Sequence, residues 1–316
     1  MKIISIIVPF NNGKRYLKKC LENLKEIKYD NFEVILIDDF SEDNSEEIVK
    51  KYEKNLNIKY YYTNEKTLGV GNARNLGIEK ANGKYIMFVD VDDTIDKDLF
   101  VHLKKYIDEE IEIIKYKMRI INGYREILTS GAVFEKISGE EGFNKLCFTD
   151  KFLDSPCLYL IKKDIFYRTN LKFEKNVYHE DFGLIPKLIV NSKSIVSTNY
   201  YGYNYLQTSN SIMRDENYKK EVKKVDDKFL HYENLLKNIE KFELNKKTKE
   251  NLLKYYSNSI IIAIKNLKFD DRKIFEKKIK KYGLIKNIKP KSLKQVIKKT
   301  ILLTNMELYY KLKKGT

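Results

Sequence analysis

A chain of 316 residues, 42% hydrophobic and 34% charged, is long enough for one large domain with an appendage, and this composition excludes a globally disordered chain. The net charge of +16 is unevenly placed: residues 1–100 carry 16 basic against 18 acidic side chains, residues 101–215 carry 17 against 15, and residues 216–316 carry 28 against 12. A neutral front and a basic tail imply that any polyanion is met through the tail.

Residues 3–8 (Ile-Ile-Ser-Ile-Ile-Val) read as a buried strand stopped by Pro9. Tyr16, Leu17, Cys20, Leu21, Leu24 and Ile27 then recur at helical spacing. Residues 32–37 form a second strand closed by Asp38-Asp39, and Ser41 and Asp43 are candidate caps for a helix through Ile48, Val49 and Tyr52. Residues 58–62 make a third strand, residues 70–81 a helix, and residues 85–89 a fourth strand running into Asp90-Val91-Asp92-Asp93. This alternation predicts an α/β fold with a mostly parallel sheet of βαβ units flanked by helices. Residues 111–121 and 124–128, parted by Asn122-Gly123, predict a hairpin, and a helix begins near Glu180. From about Glu216 the pattern is helical and Lys-rich, so the expected organisation is a domain over 1–215 and a helical basic region over 216–316. Apolar runs such as 260–264 are far below the roughly 18 residues of a membrane span. The start shows no signal-peptide cleavage pattern, and three cysteines, an odd number without metal-ligand spacing, fit a reducing compartment; a cytoplasmic protein is expected.

In an open parallel sheet, ligands bind beyond the carboxyl ends of the strands. Asn11-Asn12, Asp38-Asp39 and Asp90-Val91-Asp92-Asp93 follow three of the four front strands. Carboxylates gathered at one rim repel one another unless a cation or specific hydrogen bonds compensate. An Asp-x-Asp-Asp cluster suits a hard divalent ion, Mn²⁺ or Mg²⁺, that also holds a diphosphate. On its own the cluster favours helix capping, with Asp92 or Asp93 capping a helix that starts near Asp96.

The first hundred residues resemble the family-2 glycosyltransferases of the GT-A fold. Five segments, in order, carry the resemblance: residues 5–12 (Ser-Ile-Ile-Val-Pro-Phe-Asn-Asn) with Tyr16-Leu17 and Cys20-Leu21; residues 32–39 (Phe-Glu-Val-Ile-Leu-Ile-Asp-Asp); residues 41–45; residues 71–78; and residues 83–93 (Gly-Lys-Tyr-Ile-Met-Phe-Val-Asp-Val-Asp-Asp). The resemblance implies a Rossmann-like GT-A sheet with a nucleotide-binding half (1–100) and an acceptor-binding half (101–215). The implied activity is transfer of a hexose or N-acetylhexosamine from a UDP-sugar to an acceptor hydroxyl of a surface glycan, with inversion and metal assistance. By the same resemblance, Pro9, Phe10 and Asn12 border the base and ribose, and Asp39 accepts from the uracil ring N–H. Asn72 and Arg74 lie near the nucleotide and diphosphate. Asp90, with Val91 beside it, faces the ribose or the metal, and Asp92 is the best single metal ligand. Phe40 departs from the family, which usually has Gly there.

Tyr178-His179-Glu180-Asp181-Phe182 resembles the family's Glu-Asp motif at a helix start. Displacement at the anomeric carbon needs a base within hydrogen-bond reach of the acceptor hydroxyl; the resemblance assigns it to Asp181, with Glu180 orienting acceptor or base. First-turn acids placed for the helix dipole are the alternative. His179 is a candidate metal ligand or a structural histidine. The segment 201–214 resembles the family's loop after the last core strand, with Arg214, Ser209 and Ser211 as candidate diphosphate contacts.

In the tail, Leu293, Val296, Ile297, Thr300, Ile301 and Thr304 recur at helical spacing, flanked by Lys291, Lys294, Lys298 and Lys299. Four readings stay open: an anionic membrane surface, packing against the catalytic domain, an anionic polymer, and homo-oligomerisation through the helices. With no Trp, seven Arg and no helix-turn-helix, zinc or RNA-recognition pattern, no nucleic-acid partner is expected. A sugar-nucleotide-binding subunit without catalysis is the competing class, against which stand the acidic cluster and Glu180-Asp181.

Overall fold

A computed structural model of the chain describes residues 3–63, 69–207, 217–290 and 292–314. It divides into two compact units, Met1–Arg214 and Asp215–Thr316. The first contains, in chain order, β1 (Ile4–Phe10), α1 (Lys14–Lys25), β2 (Phe32–Asp38), α2 (Glu46–Val49), β3 (Ile58–Tyr62), α3 (Gly69–Lys80), β4 (Tyr85–Phe88), β5 (Thr94–Ile95), α4 (Leu99–Asp108), β6 (Ile113–Asn122), β7 (Arg125–Leu128), β8 (Phe134–Ile137), α5 (Gly139–Leu146), β9 (Tyr159–Lys162), α6 (Asp164–Thr169), α7 (Glu180–Val190) and β10 (Ile195–Leu206).

These strands form one sheet in the order β3-β2-β1-β4-β9-β6-β10-β5, with β7 on β6 and β8 on β10. The β3-β2-β1-β4 half is parallel, β9 runs antiparallel between β4 and β6, and β10 is parallel to β6. The α/β class expected from the sequence is therefore found, with a mixed second half. Strands β1 and β2 are buried along nearly their whole length because both faces of a parallel sheet are covered, which is why they read as unbroken apolar runs. Helix α1 turns Leu17, Cys20, Leu21 and Leu24 inward, the face its spacing predicts.

Four local expectations need correction. Pro9 does not stop β1: it lies in register with Ile37 of β2, where the pairing of β1 with β4 has already ended at Ile7–Phe88, so no ladder bond to β4 is lost there. Ser41 does not cap the short helix α2, and Asp43 serves its entry only through Oδ1, which accepts from the Ser45 N–H (3.2 Å). The Ser41 hydroxyl accepts from the Asn12 N–H (2.8 Å) and Asp43 Oδ2 accepts from the Lys14 N–H (2.8 Å), so Asp43 satisfies an orphan donor at the start of α1. The hairpin turn is shifted by one residue, with Asn122 paired to Arg125 and Gly123 supplying a φ of +59°. Residues Tyr201 to Leu206 belong to β10 rather than to a loop after it, and Ser209, Ser211 and Arg214 lie outside the described residues.

The second unit comprises α8 (Tyr218–Asn238), α9 (Lys246–Ile264), α10 (Phe269–Lys281), α11 (Leu293–Thr304) and α12 (Met306–Lys314). Its core holds Phe229, Leu235, Tyr256, Ile260 and Phe275, with the Phe229 and Phe275 rings stacked at 5.7 Å. Arg272 of α10 makes two hydrogen bonds to Glu307 of α12, at 3.1 and 2.8 Å. Among the described residues, no helix is long and apolar enough to cross a membrane.

Candidate active site

The acidic residues at the strand ends divide into those that hold the rim together and those left facing outward. Asp38, at the end of β2, is buried: Oδ1 accepts from the Ser41 N–H (2.7 Å) and Oδ2 from the Tyr60 hydroxyl (2.5 Å). Its neighbour Asp39 donates its backbone N–H to the Phe10 carbonyl (2.8 Å), and its Oδ1 accepts from the Thr63 hydroxyl (2.7 Å). The Asp39 side chain is half-buried at the rim, where the sequence places a base-binding acceptor. Asn11 ties the two rims together by donating to the carbonyls of Asp39 (2.6 Å) and Phe40 (3.1 Å). Asn12 is exposed, and its Oδ1 accepts from the Glu42 N–H (2.9 Å). Pro9 is buried, and the buried Phe10 ring packs 6.1 Å from that of Tyr60. Phe40 has a φ of +61°, a left-handed conformation that costs a residue with a side chain roughly 1–2 kcal/mol. That cost gives a physical reason for glycine at this position in the family.

Beyond β4, the backbone turns so that the Asp93 N–H donates to the Asp90 carbonyl (3.0 Å). Asp93 is buried and held by β10, accepting from the Tyr203 hydroxyl (2.7 Å) and the Leu206 N–H (2.8 Å). Burial, and then the Asp90 charge, push its carboxyl up to about 8. Asp92 and Val91 are half-buried. Burial and the Asp90 charge also raise Asp92, while Arg15 of α1 acts in the opposite sense. The Cys20 thiol is raised to about 12 by burial and by Asp93, Asp92 and Asp90, so it is an inert thiol under the cluster.

The acceptor-half motif joins this cluster through Arg74. This α3 residue is buried and donates from one terminal nitrogen to Glu180 Oε1 and from the other to Asp90 Oδ1 (3.2 Å). Its guanidinium lies 5.5 Å from the Phe173 ring centroid and 6.0 Å from that of Phe88. Burial works against its charge, but Glu180, Asp90 and other nearby negative groups outweigh burial and hold its pKa above the ordinary value. The close approach depends on Gly71, where a Cβ would lie 2.6 Å from the Glu174 carbonyl oxygen and 3.2 Å from Glu180 Cγ. Asp181, next in the first turn of α7, accepts from the Phe182 N–H (2.7 Å). Burial, followed by the charges of Glu180 and Asp154, raises its carboxyl to about 7. His179 is the left-handed residue preceding α7 (φ +58°), and its carbonyl accepts from the Gly183 N–H (3.2 Å).

Arg74, Asp90, Glu180 and Asp181 thus share one electrostatic cluster, with Asp92 coupled to Asp90. Asn72 instead lines a cavity of about 420 Å³ beside α3, together with Asn75, Tyr167, Lys172 and Lys175. Among the described residues, no three His, Cys, Asp or Glu side chains are gathered to hold a metal ion, so Asp90, Asp92 and His179 do not form a ready-made cage. Two neighbouring carboxylates whose repulsion raises Asp92 nevertheless fit a divalent ion completed by substrate phosphates and water. Sequence reasoning missed Arg15, Asp154 and Tyr203; only their place in the fold brings them to the cluster.

A parallel nucleotide-binding half with acidic strand ends, joined to a mixed half whose acidic helix start meets the same cluster, defines a GT-A-type transferase architecture. The family model described as glycosyl transferase family 2 matches residues 5–168, and the chain belongs to that family. It is similar to glycosyltransferase GlyG of Streptococcus pneumoniae serotype 4, with 30% identity over 225 residues spanning 68% of this chain and 74% of GlyG. It is also similar to the poly(ribitol-phosphate) beta-N-acetylglucosaminyltransferase TarS of Staphylococcus aureus strain MW2, with 29% identity over 215 residues, covering 64% of this chain and only 35% of TarS. The crystal structure of TarS 1-349 in complex with UDP-GlcNAc shares the fold at a TM-score of 0.58 and 19% identity, covering 83% of this chain and 81% of that one. A mannosyltransferase of Pyrobaculum calidifontis, solved with GDP-Man and Mn²⁺, shares it at a TM-score of 0.57 and 13% identity, covering 98% and 82%.

Proposed function

We propose that this glycosyltransferase moves a hexose or N-acetylhexosamine from a UDP-sugar to an acceptor hydroxyl of a surface polymer, inverting the anomeric configuration. The observation that carries the reading is the Arg74–Glu180–Asp90 network, which ties the acidic start of α7, with Asp181 in its first turn, to the strand-end carboxylates; burial also raises the Asp181 carboxyl. A carboxylate with a pKa near the working pH is suited to accept the acceptor's proton as its oxygen bonds to the anomeric carbon. Glu180, fixed by Arg74, orients the acceptor or the base. Asp39, turned by Thr63, accepts from the uracil ring N–H. Asp92 and Asp90 would hold Mn²⁺ or Mg²⁺ with the diphosphate oxygens, and that ion, when bound, supplies positive charge against the departing UDP. The relatives named for poly(ribitol-phosphate) and minor teichoic acid favour a phosphate-containing polymer as acceptor.

A thermal-shift panel of UDP-sugars with and without Mn²⁺, followed by donor hydrolysis, tests the reading. One UDP-sugar should raise the melting temperature in a Mn²⁺-dependent way, and Asp181→Asn should keep that shift while losing turnover. Stabilisation by no UDP-sugar, or full hydrolysis by Asp181→Asn, would overturn it.

A further inference from the structure

Helix α11 carries one apolar stripe and, opposite it, a single leucine among polar residues. At 100° per residue, Leu293, Val296, Ile297 and Thr300 share one face and Leu302 lies on the other. The structure buries Leu302 and leaves Leu293 76% and Ile297 52% exposed, with Val296 also exposed. The stripe that sequence periodicity marks as a packing face is therefore turned to solvent. Helix α12 repeats the pattern: Met306 and Tyr310 are inside, while Leu308 and Leu312, one turn apart, are outside. With Leu303, six aliphatic side chains face outward on two consecutive helices, and Lys298 and Lys311 of the same helices are exposed as well.

The chemistry of this surface selects its occupant. A soluble polyanion would be met by an outward row of lysines, not by Leu, Val and Ile. A second copy would bring one Lys-rich region, 28 basic against 12 acidic residues over 216–316, against another. An anionic bilayer accepts both features, with aliphatic side chains entering the acyl boundary and lysines reaching the headgroups. The geometry points to α11 and α12 as a peripheral binding surface for an anionic lipid membrane.

Cosedimentation of the full chain with phosphatidylglycerol–phosphatidylcholine vesicles, against phosphatidylcholine alone, tests the proposal. Partitioning should be at least about tenfold higher on the anionic vesicles and should weaken as salt rises. The double variant Val296→Ser/Ile297→Ser should lose about tenfold or more of that binding, with the melting temperature unchanged because both side chains are already exposed. If that variant melts early, the charge variant Lys298→Glu/Lys311→Glu serves in its place, with the same expected loss. Equal binding to both vesicle types, or undiminished binding by the variants, would overturn the proposal. So would concentration-dependent self-association that Ile297→Ser abolishes in a chain that does not bind vesicles. No sugar donor enters these measurements, so their failure is separate from a failure of the transferase reading.

Discussion

Replacing Arg74 by Met removes the cation that, among the described residues, joins Asp90 to Glu180 by hydrogen bonds. The Arg74 and Glu180 side chains are 6% and 11% exposed, whereas that of Asp90 is 43% exposed and can be rehydrated. Breaking a buried ion pair by deleting one partner costs about 3–5 kcal/mol, because the remaining charge has no compensation. With Asp90 discounted for its exposure, the expected loss is about 3 kcal/mol, a factor of roughly 100 in the folding equilibrium. The chain has no Trp, so urea unfolding is followed by far-ultraviolet circular dichroism, reading the transition of the first unit. The double variant Arg74→Met/Glu180→Gln should recover about 2 kcal/mol, since the orphaned charge is gone. Arg74 also acts to lower the Asp181 carboxyl, so in the single variant the acid limb of the rate profile should move to higher pH. An Arg74→Met protein that unfolds at the wild-type urea concentration, or a double variant no more stable than the single, would refute the reasoning.

Asp181→Asn should lower kcat by about 10²- to 10⁴-fold, and wild-type turnover should fall about tenfold per pH unit below about 7, as steady-state rates across pH 5–8 will show. Asp39→Ala, which removes a carboxylate acceptor, should weaken UDP binding by about 10- to 100-fold in calorimetry and lower the stability of the free chain by about 1–3 kcal/mol, because the buried Thr63 hydroxyl loses its acceptor. Asp93 titrates near 8 in the fold against an ordinary 3.8, so the folded state retains a proton that the unfolded chain releases, and its contribution to stability declines between about pH 4 and pH 8. Asp93→Asn should therefore show a smaller fall in melting temperature over that range than the wild type. Gly71→Ala should cost both stability and turnover, because its Cβ meets the Glu174 backbone carbonyl, which cannot rotate aside.

The front half was legible because its signals are local. Buried parallel strands write themselves as short Ile and Val runs, and α1 keeps one apolar stripe. The corrections in the first unit concern positions whose role is set by partners distant along the chain or by exact pairing register. Pro9 reads as a terminator only while the end of β4 is unknown, the Asn-Gly pair marks the hairpin turn one residue early, and Asp43 also serves the Lys14 N–H, 29 residues away along the chain. In the tail, periodicity found the apolar stripe of α11 but not its direction. A helix with Leu on both sides leaves that choice to tertiary packing, and Leu302 took the inner position.

The site shows the same boundary between local and distant information. The ordered front motifs mark Asp90 and Arg74 as expected site residues, the separate Glu-Asp segment marks Glu180, and the family resemblance puts Arg74 near the diphosphate. In the fold, its two terminal nitrogens are turned to carboxylates 16 and 106 residues away, and its Nε is buried without a protein partner among the described residues. A cation so placed does more for the geometry of two acidic motifs than for direct capture of an anion. It pairs directly with Glu180, and Asp181, one residue on, keeps a raised pKa. Two adjacent acids thereby take different places: Glu180 is held by Arg74, while Asp181 is left to burial and the neighbouring charges that raise its carboxyl. That division of labour depends on which carboxylate Arg74 reaches, a fact of packing that spacing along the chain does not contain.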